Sequence, residues 1–221
     1  MSDISLYYEQ SGQGEALLLL HGNGDDHTFF AGQIPHFAMH FAVWAIDTRG
    51  HGRSPMGKKP FMLTQFADDL KDFMDEHGVA RAHILGASDG ANIAMLFALR
   101  YPDRVRSLVL NSGNLDPSGL DSAFLEQIKA VYETTQDTYE AALLRLMLFE
   151  PNIEPTRLSA IAAPTLVIAG DDDLIPAEHT RLIAAHIPNS RLVFLPGTHS
   201  VAQEDPEAFN AAADAFYQSL S

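Results

Sequence analysis

Short apolar runs separated by helical patterns decide what this chain can fold into. Ala16 to Leu20, Phe41 to Ile46, Ala82 to Leu85, Ser107 to Leu110, Pro164 to Ala169 and Arg191 to Leu195 are each a few residues long, mostly apolar, and bounded by turn residues. A strand covered on both faces has this pattern, because neither of its sides meets water. Helical patterns lie between the runs: Phe61 to His77, with Phe66, Leu70 and Phe73 on one face, then Ala91 to Tyr101, Ala177 to Ile187 and Glu207 to Leu220. The alternation calls for an α/β fold with a mostly parallel central sheet and helices on both faces. Ile4 to Glu9 reads as an N-terminal edge strand, with Gly12 and Gly14 in the turn after it.

One interval breaks the rhythm. After the strand ending at Leu110 no further strand pattern opens until Pro164, and residues 115–160 hold two helical segments, Leu120 to Thr134 and Thr138 to Phe149. The second carries Leu143, Leu144, Leu146, Met147, Leu148 and Phe149. An apolar helix inserted after the C-terminal end of a strand either caps a pocket or packs on the sheet, and both arrangements bury the same side chains. A chain of 221 residues suits one domain, so this interval is expected to be an insertion within it rather than a second domain.

Charge narrows the partners. The formal net charge of -15 repels nucleic acid and anionic membranes, which leaves a small molecule as the expected partner and says nothing of oligomeric state. The chain has no cysteine, so disulfides, thiolate metal sites and cysteine catalysis are excluded. The N-terminus lacks a basic segment followed by an apolar run, and no apolar stretch approaches the roughly 18 residues of a spanning helix, so a cytoplasmic protein is expected.

Gly86-Ala87-Ser88-Asp89-Gly90 fits G-x-S-x-G, with a strand pattern before it and a helical pattern after it. A sharp strand-to-helix turn exposes the serine hydroxyl at the cost of backbone strain, and small neighbours relieve the crowding. The helix N-terminus behind Ser88 also directs N–H groups toward an anion formed there. Ser88 is therefore the candidate nucleophile.

A serine needs a base to take its proton and an acid to orient that base. Acid candidates are Asp171, Asp172 and Asp173, where a strand runs into a loop at the edge that gathers ligands in open α/β sheets. Of ten histidines, including His21, His27, His51, His179 and His186 near strand ends or helices, only His199 follows the final strand. It completes the chain order Ser, Asp, His. An oxyanion needs two convergent donors. One would be the backbone N–H of Asp89, and the other that of Asn23, whose flanking glycines in His21-Gly22-Asn23-Gly24 let it turn inward. The histidines and aspartates of this loop lack metal-ligand spacing, since Asn23 stands where a ligand would be required, so no metal is expected.

With these segments together, HGNG at 21–24, DTRGHGRS at 47–54, GASDG at 86–90 and the pair GDDD and PGTHS, the chain resembles the α/β-hydrolase superfamily from about residue 15 onward. The resemblance implies Ser88 as nucleophile, His199 as base, Asp173 as acid and Asn23 with Asp89 as oxyanion donors. Asp173 is preferred over Asp171 and Asp172 because the family's acid usually follows the strand-end glycine by three positions. DTRGHGRS is expected to shape a turn through Gly50 and Gly52, with Arg49 and His51 not required at the substrate. The short cap implies an open pocket or a small substrate.

Asp89 carries a second question. The stretch SDG followed by Ile-Ala is similar to that of valacyclovir hydrolase-type amino-acid ester hydrolases, which implies a carboxylate that recognises a substrate amino group. The alternative is a charge that complements the helix dipole or meets an arginine, and it is preferred because helix starts commonly carry Asp. The expected activity is hydrolysis of a small carboxylic ester without a cofactor. Cleavage of a carbon-carbon bond, lactone or amide by the same triad is the enzymatic alternative, and ligand binding with little turnover the non-enzymatic one.

Overall fold

The computed structural model describes residues 2–220. Seven strands form one sheet: β1 (Tyr8–Ser11), β2 (Glu15–Leu20), β3 (Phe41–Ile46), β4 (Ala82–Ala87), β5 (Val105–Asn111), β6 (Thr165–Gly170) and β7 (Ser190–Leu195). Their spatial order is β1-β3-β2-β4-β5-β6-β7. β1 runs antiparallel to β3 and all other neighbours are parallel. The helices are α1 (Ile34–Phe37), α2 (Leu63–Glu76), α3 (Asp89–Arg100), α4 (Ser122–Thr134), α5 (Thr138–Phe149), α6 (Ala177–His186), α7 (Val201–Glu204) and α8 (Pro206–Gln218).

The two faces of the sheet explain the nearly unbroken apolar runs. Leu18, Leu20, Ile84, Leu108 and Leu110 point into one core with Phe66, Leu70 and Phe73 of α2 and most of α3. Their neighbours Leu17, Leu19, Leu85 and Val109 point into the other, against Phe209, Ala213 and Phe216 of α8. Alternate residues of one strand thus serve different layers, so both must be apolar.

The inserted interval holds α4 and α5, each started by an aspartate. Asp121 accepts from the Phe124 N–H, and Asp137 from those of Tyr139 and Glu140. The pair does both things expected of an inserted apolar helix. Leu146 joins the core, while Phe124 and Met147 line a cavity at the C-terminal edge of the sheet.

The N-terminal strand differs from the sequence expectation of Ile4 to Glu9: it spans Tyr8–Ser11. The preceding residues are committed to polar contacts instead. Ser2 Oγ donates to Asp69 Oδ1, and Asp3 Oδ1 accepts from Arg49 Nη2 at 2.7 Å. Arg49, in DTRGHGRS, is fully buried and grips Asp69 with Nε at 2.6 Å and Nη2 at 2.7 Å. Such a fork satisfies two charges that neither could carry alone in an apolar interior. Asp47 is equally occupied, accepting from the His27 and Arg53 N–H groups. A Cβ on Gly52, whose φ is +52°, would lie 2.2 Å from Asp47 Oδ2. The segment is a structural knot beside the site. No helix among the described residues is long and apolar enough to cross a membrane.

Asp69→Ala would remove the two-pronged partner of the buried Arg49 charge and leave it only the partly exposed Asp3 among the described carboxylates. A loss of about 3–5 kcal/mol is expected from such removal, measurable by urea unfolding; a loss below about 1 kcal/mol would show that the pair is dispensable.

Candidate active site

Ser88 follows β4 and opens α3 with φ 54 and ψ -120. This left-handed conformation strains any residue with a Cβ and persists only where surrounding contacts enforce it. Those contacts are present. The Ser88 N–H donates to the Asn111 carbonyl at 2.8 Å, and the Ser88 carbonyl accepts from the Ala91 N–H at 2.9 Å. The two glycines of the motif have steric reasons. A Cβ at Gly90 would lie 1.9 Å from the Leu20 carbonyl oxygen, and one at Gly86 would lie 2.2 Å from that of Gly90.

Asp173 follows β6 and His199 follows β7. His199 Nδ1 lies 2.7 Å from Asp173 Oδ1, which also accepts from the Ile175 N–H at 2.9 Å. A carboxylate on Nδ1 fixes the proton there and leaves Nε2 as the basic nitrogen. Asp173 Oδ2 accepts from the Ser112 hydroxyl at 2.5 Å. Burial would raise the Asp173 pKa, but His199 and the Ser112 and Ile175 donors outweigh it and hold the group below the usual carboxylate value. Asp171 and Asp172 are exposed. Asp171 is tied to the Gly197 N–H, so the three aspartates left open by the sequence are separated by geometry.

Ser88, His199, Asn23 and Asp89 line one cavity of about 150 Å³. Among the described residues no hydrogen bond joins Ser88 to His199, a contact that often tightens only around substrate. The loop after β2 supplies the facing wall, and a Cβ on Gly22 would lie 3.2 Å from Ser88 Cβ. His21, almost fully buried, orients this loop. Its Nε2 accepts from the Thr48 N–H at 3.0 Å, so Nδ1 must carry the proton and donates to the Gly22 carbonyl at 2.7 Å. Holding that carbonyl also orients the Asn23 N–H, which belongs to the same planar peptide unit. Among the described residues, neither this N–H nor that of Asp89, in the unbonded first turn of α3, has a hydrogen-bond partner. The Asn23 side chain donates to the Leu143 carbonyl of α5 at 2.9 Å, fastening the loop to the cap.

Burial alters the balance between the two readings of Asp89. Its carboxylate meets no arginine. Oδ1 accepts from Asn92 Nδ2 at 3.1 Å, whereas Oδ2 is buried without a partner. Burial, opposed by the Asn92 hydrogen bond and abetted by the nearby Glu150 charge, raises the Asp89 pKa to about 6. Glu150, at the end of α5, and Asp25, in the loop after β2, line the same cavity, and burial raises both. Glu150, Asn92 and Ser112 escape sequence reasoning because no motif marks them; only a polar residue at the end of β5 or α5 hinted at a site.

The other four histidines that the sequence places near strand ends or helices have structural tasks. His27 Nδ1 binds Asp47, and His51 stacks on Phe61 with centroids 5.9 Å apart. His179 Nε2 accepts from the Leu115 N–H, and His186 Nδ1 donates to the Leu182 carbonyl one turn earlier in α6. Asp26, His27 and Asp47 bring three ligand-type atoms within 4.8 Å of one another. Each is already engaged: Asp47 with His27 and Arg53, Asp26 with Thr28. His27 and Asp47 are hydrogen-bonded to each other, and Asp26 caps the turn that follows.

An open parallel sheet, a strained serine between strand and helix, and an aspartate-histidine pair at the next strand ends define a class, and sequence comparison agrees with it. Residues 15–151 match the alpha/beta hydrolase fold family, to which this chain belongs. Among curated relatives, serine hydrolase BPHL of Homo sapiens is 30% identical, with 99% of this chain and 84% of that protein covered. RutD of Caulobacter sp. strain K31, named as a candidate carbamate hydrolase, is 30% identical over 94% of this chain and 93% of its own length. A solved hydrolase from Pseudomonas aeruginosa PA01 superimposes with a TM-score of 0.78 at 30% identity, covering 97% of this chain and 94% of that one.

His21 generates a pH prediction. Burial, with the neighbouring His51 next, lowers its pKa from 6.5 to about 4. A depressed folded-state value means that the unfolded chain takes up the proton first, so this contribution is complete above pH 6.5 and is lost as pH falls toward 4. The full effect is about 3 kcal/mol. Urea unfolding at a series of pH values should show that acid-sensitive increment in the wild type and its absence in His21→Asn; parallel curves would refute the assignment.

Proposed function

We propose that this chain is a serine hydrolase that cleaves small carboxylic esters whose acyl group bears an ammonium. The observation that carries the first part is the pairing of His199 Nδ1 with buried Asp173 at 2.7 Å, beside the same cavity as Ser88. Ser88 Oγ attacks the ester carbonyl carbon while His199 Nε2 takes its proton. The carbonyl oxygen becomes an oxyanion, received by the N–H groups of Asn23 and Asp89; one such donor is worth about 3 kcal/mol in the transition state. The tetrahedral intermediate collapses, and His199 returns the proton to the departing alkoxide. An acyl group then remains on Ser88. Water attacks it, His199 Nε2 takes the water proton, and on collapse returns it to the departing Ser88 Oγ, releasing the carboxylic acid and restoring both residues. No step calls for a cofactor.

Asp89 supports the second part. One carboxylate oxygen is buried without a hydrogen-bond donor beside the proposed reacting carbonyl, and burial outweighs the partial compensation from Asn92, His199 and Asn23, so a cation there would be favoured. Asp25 and Glu150 reinforce the negative field, and no lysine or arginine lines the cavity. A volume of about 150 Å³ suits a short acyl group. The name of the human relative favours serine hydrolysis; that of RutD makes a carbamate the competing carbonyl substrate, attacked in the same way.

Nitrophenyl esters of α-amino acids, matched neutral acids and a carbamate form the test. The amino-acyl esters should be preferred, and Ser88→Ala should lose turnover by at least about a thousandfold. Turnover surviving in that variant removes Ser88 from its role. Labelling by a fluorophosphonate separates an enzyme from a binding protein, since only an activated serine reacts. Preference for the carbamate would shift the substrate class.

Because the Asp89 pKa is raised to about 6, its charge disappears as pH falls below that value. The ratio of kcat/KM for amino-acyl over neutral esters should therefore decline through pH 6. Asp89→Asn, which keeps the backbone donor, should lower this ratio by about tenfold at neutral pH. A ratio indifferent to both changes would return Asp89 to a structural role.

A further inference from the structure

Ser88 and Ser112 are the two non-glycine residues with positive φ among the described residues, both at 54°. They immediately follow adjacent strands, β4 and β5, on the edge that carries Asp173 and His199 after β6 and β7. Strain in a non-glycine residue collects where a side chain must be aimed. The proposed mechanism uses the first serine and leaves the second unexplained.

Ser112 is buried, with 1% of its surface exposed, and its backbone N–H donates to the Ile168 carbonyl at 3.0 Å. The direction of its hydroxyl proton can be deduced. Asn111 Nδ2 lies 3.3 Å from the Ile168 carbonyl, an acceptor only, which identifies that amide atom as nitrogen. The same Nδ2 lies 2.7 Å from Ser112 Oγ, so Oγ accepts there. Its own proton is then free for Asp173 Oδ2 at 2.5 Å. A directed chain results: Asn111 to Ser112 to Asp173, with His199 on the other carboxylate oxygen.

We infer that Ser112 is a positioning residue for the reaction, its hydroxyl holding the Asp173 carboxylate in the plane and charge state that orient His199. The inference rests on the triad reading of Ser88, Asp173 and His199. Asp173 has a side chain only 2% exposed, so water cannot replace a lost donor. Without Ser112, Oδ2 would be a buried acceptor with no partner, free to rotate away from the imidazole. The carboxylate would also keep its own proton to higher pH, which moves the acid limb of the rate profile upward.

Ser112→Gly is the primary variant, since it removes the hydroxyl while suiting φ +54. With Ser112→Ala alongside, strain and hydroxyl are separated. Both variants should lower kcat by about tenfold with KM little changed, as expected for a lost hydrogen bond to a charged group. In both, the acid limb of kcat/KM should shift to higher pH, while Ser112→Gly unfolds in urea no earlier than Ser112→Ala. The imidazole Nδ1 proton of His199, read by NMR in the absence of substrate, should move in both. Wild-type turnover that survives Ser88→Ala would sink the proposed activity, yet the Nδ1 resonance would still decide the role of Ser112. An unchanged resonance, or Ser112→Gly with wild-type kcat and pH profile, overturns the inference.

Discussion

Helix α3 begins so close to the end of β2 that no side chain fits between them. The Leu20 carbonyl oxygen occupies the position where a Cβ on residue 90 would have to lie, and the Gly90 carbonyl does the same to residue 86. With both ends of the turn pinned, the chain can pass from β4 into α3 only through a left-handed residue, which is Ser88. Its strain is held by packing of the whole layer rather than by local preference. Since β2 is the neighbour of β4, the loop leaving β2 must then pass directly over Ser88. The strained serine and the loop that passes over it are consequences of one close approach.

Parallel pairing extends this outcome along the sheet. When neighbouring strands run the same way, their C-terminal ends share an edge, and the loops after β4, β5, β6 and β7 meet side by side. Four residues far apart in sequence become near neighbours there: Ser88, Ser112, Asp173 and His199. The cap then closes the edge with apolar side chains and one acid, Glu150, whose Oε2 also accepts from the Leu63 N–H at the start of α2. Cap, β2 loop and helix layer are linked by single hydrogen bonds, so the cavity inherits its shape from all three.

Much of this is legible in the sequence. Strands buried on both faces leave an unmistakable apolar signature, and the six expected runs match observed strands to within two residues at either edge. The helical segments fare as well, α5 beginning and ending where the pattern placed it. The N-terminal strand is the exception: Ile4 and Leu6 have the right residue types, but the Arg49 network claims the neighbouring chain and delays pairing until Tyr8. Propensity describes one strand at a time, whereas a buried guanidinium recruits partners from wherever the fold supplies them. Asp89 was ambiguous for a related reason. Its position at a helix start is a property of sequence, but the isolation of Oδ2 is a property of the packing around it.

The sequence alone determined the layered α/β architecture, because binary patterning and glycine placement act over a few residues and survive any context. It also determined which residue types could do chemistry. Tertiary structure decided which of them meet: Asp173 rather than its two exposed neighbours, a hydroxyl from the residue after β5 on the back of that carboxylate, and a glutamate from the cap beside Asp89. Burial did the rest, raising Asp89 and lowering His21 in opposite directions for one reason. Desolvation penalises charge of either sign, and no residue carries its own burial in its name.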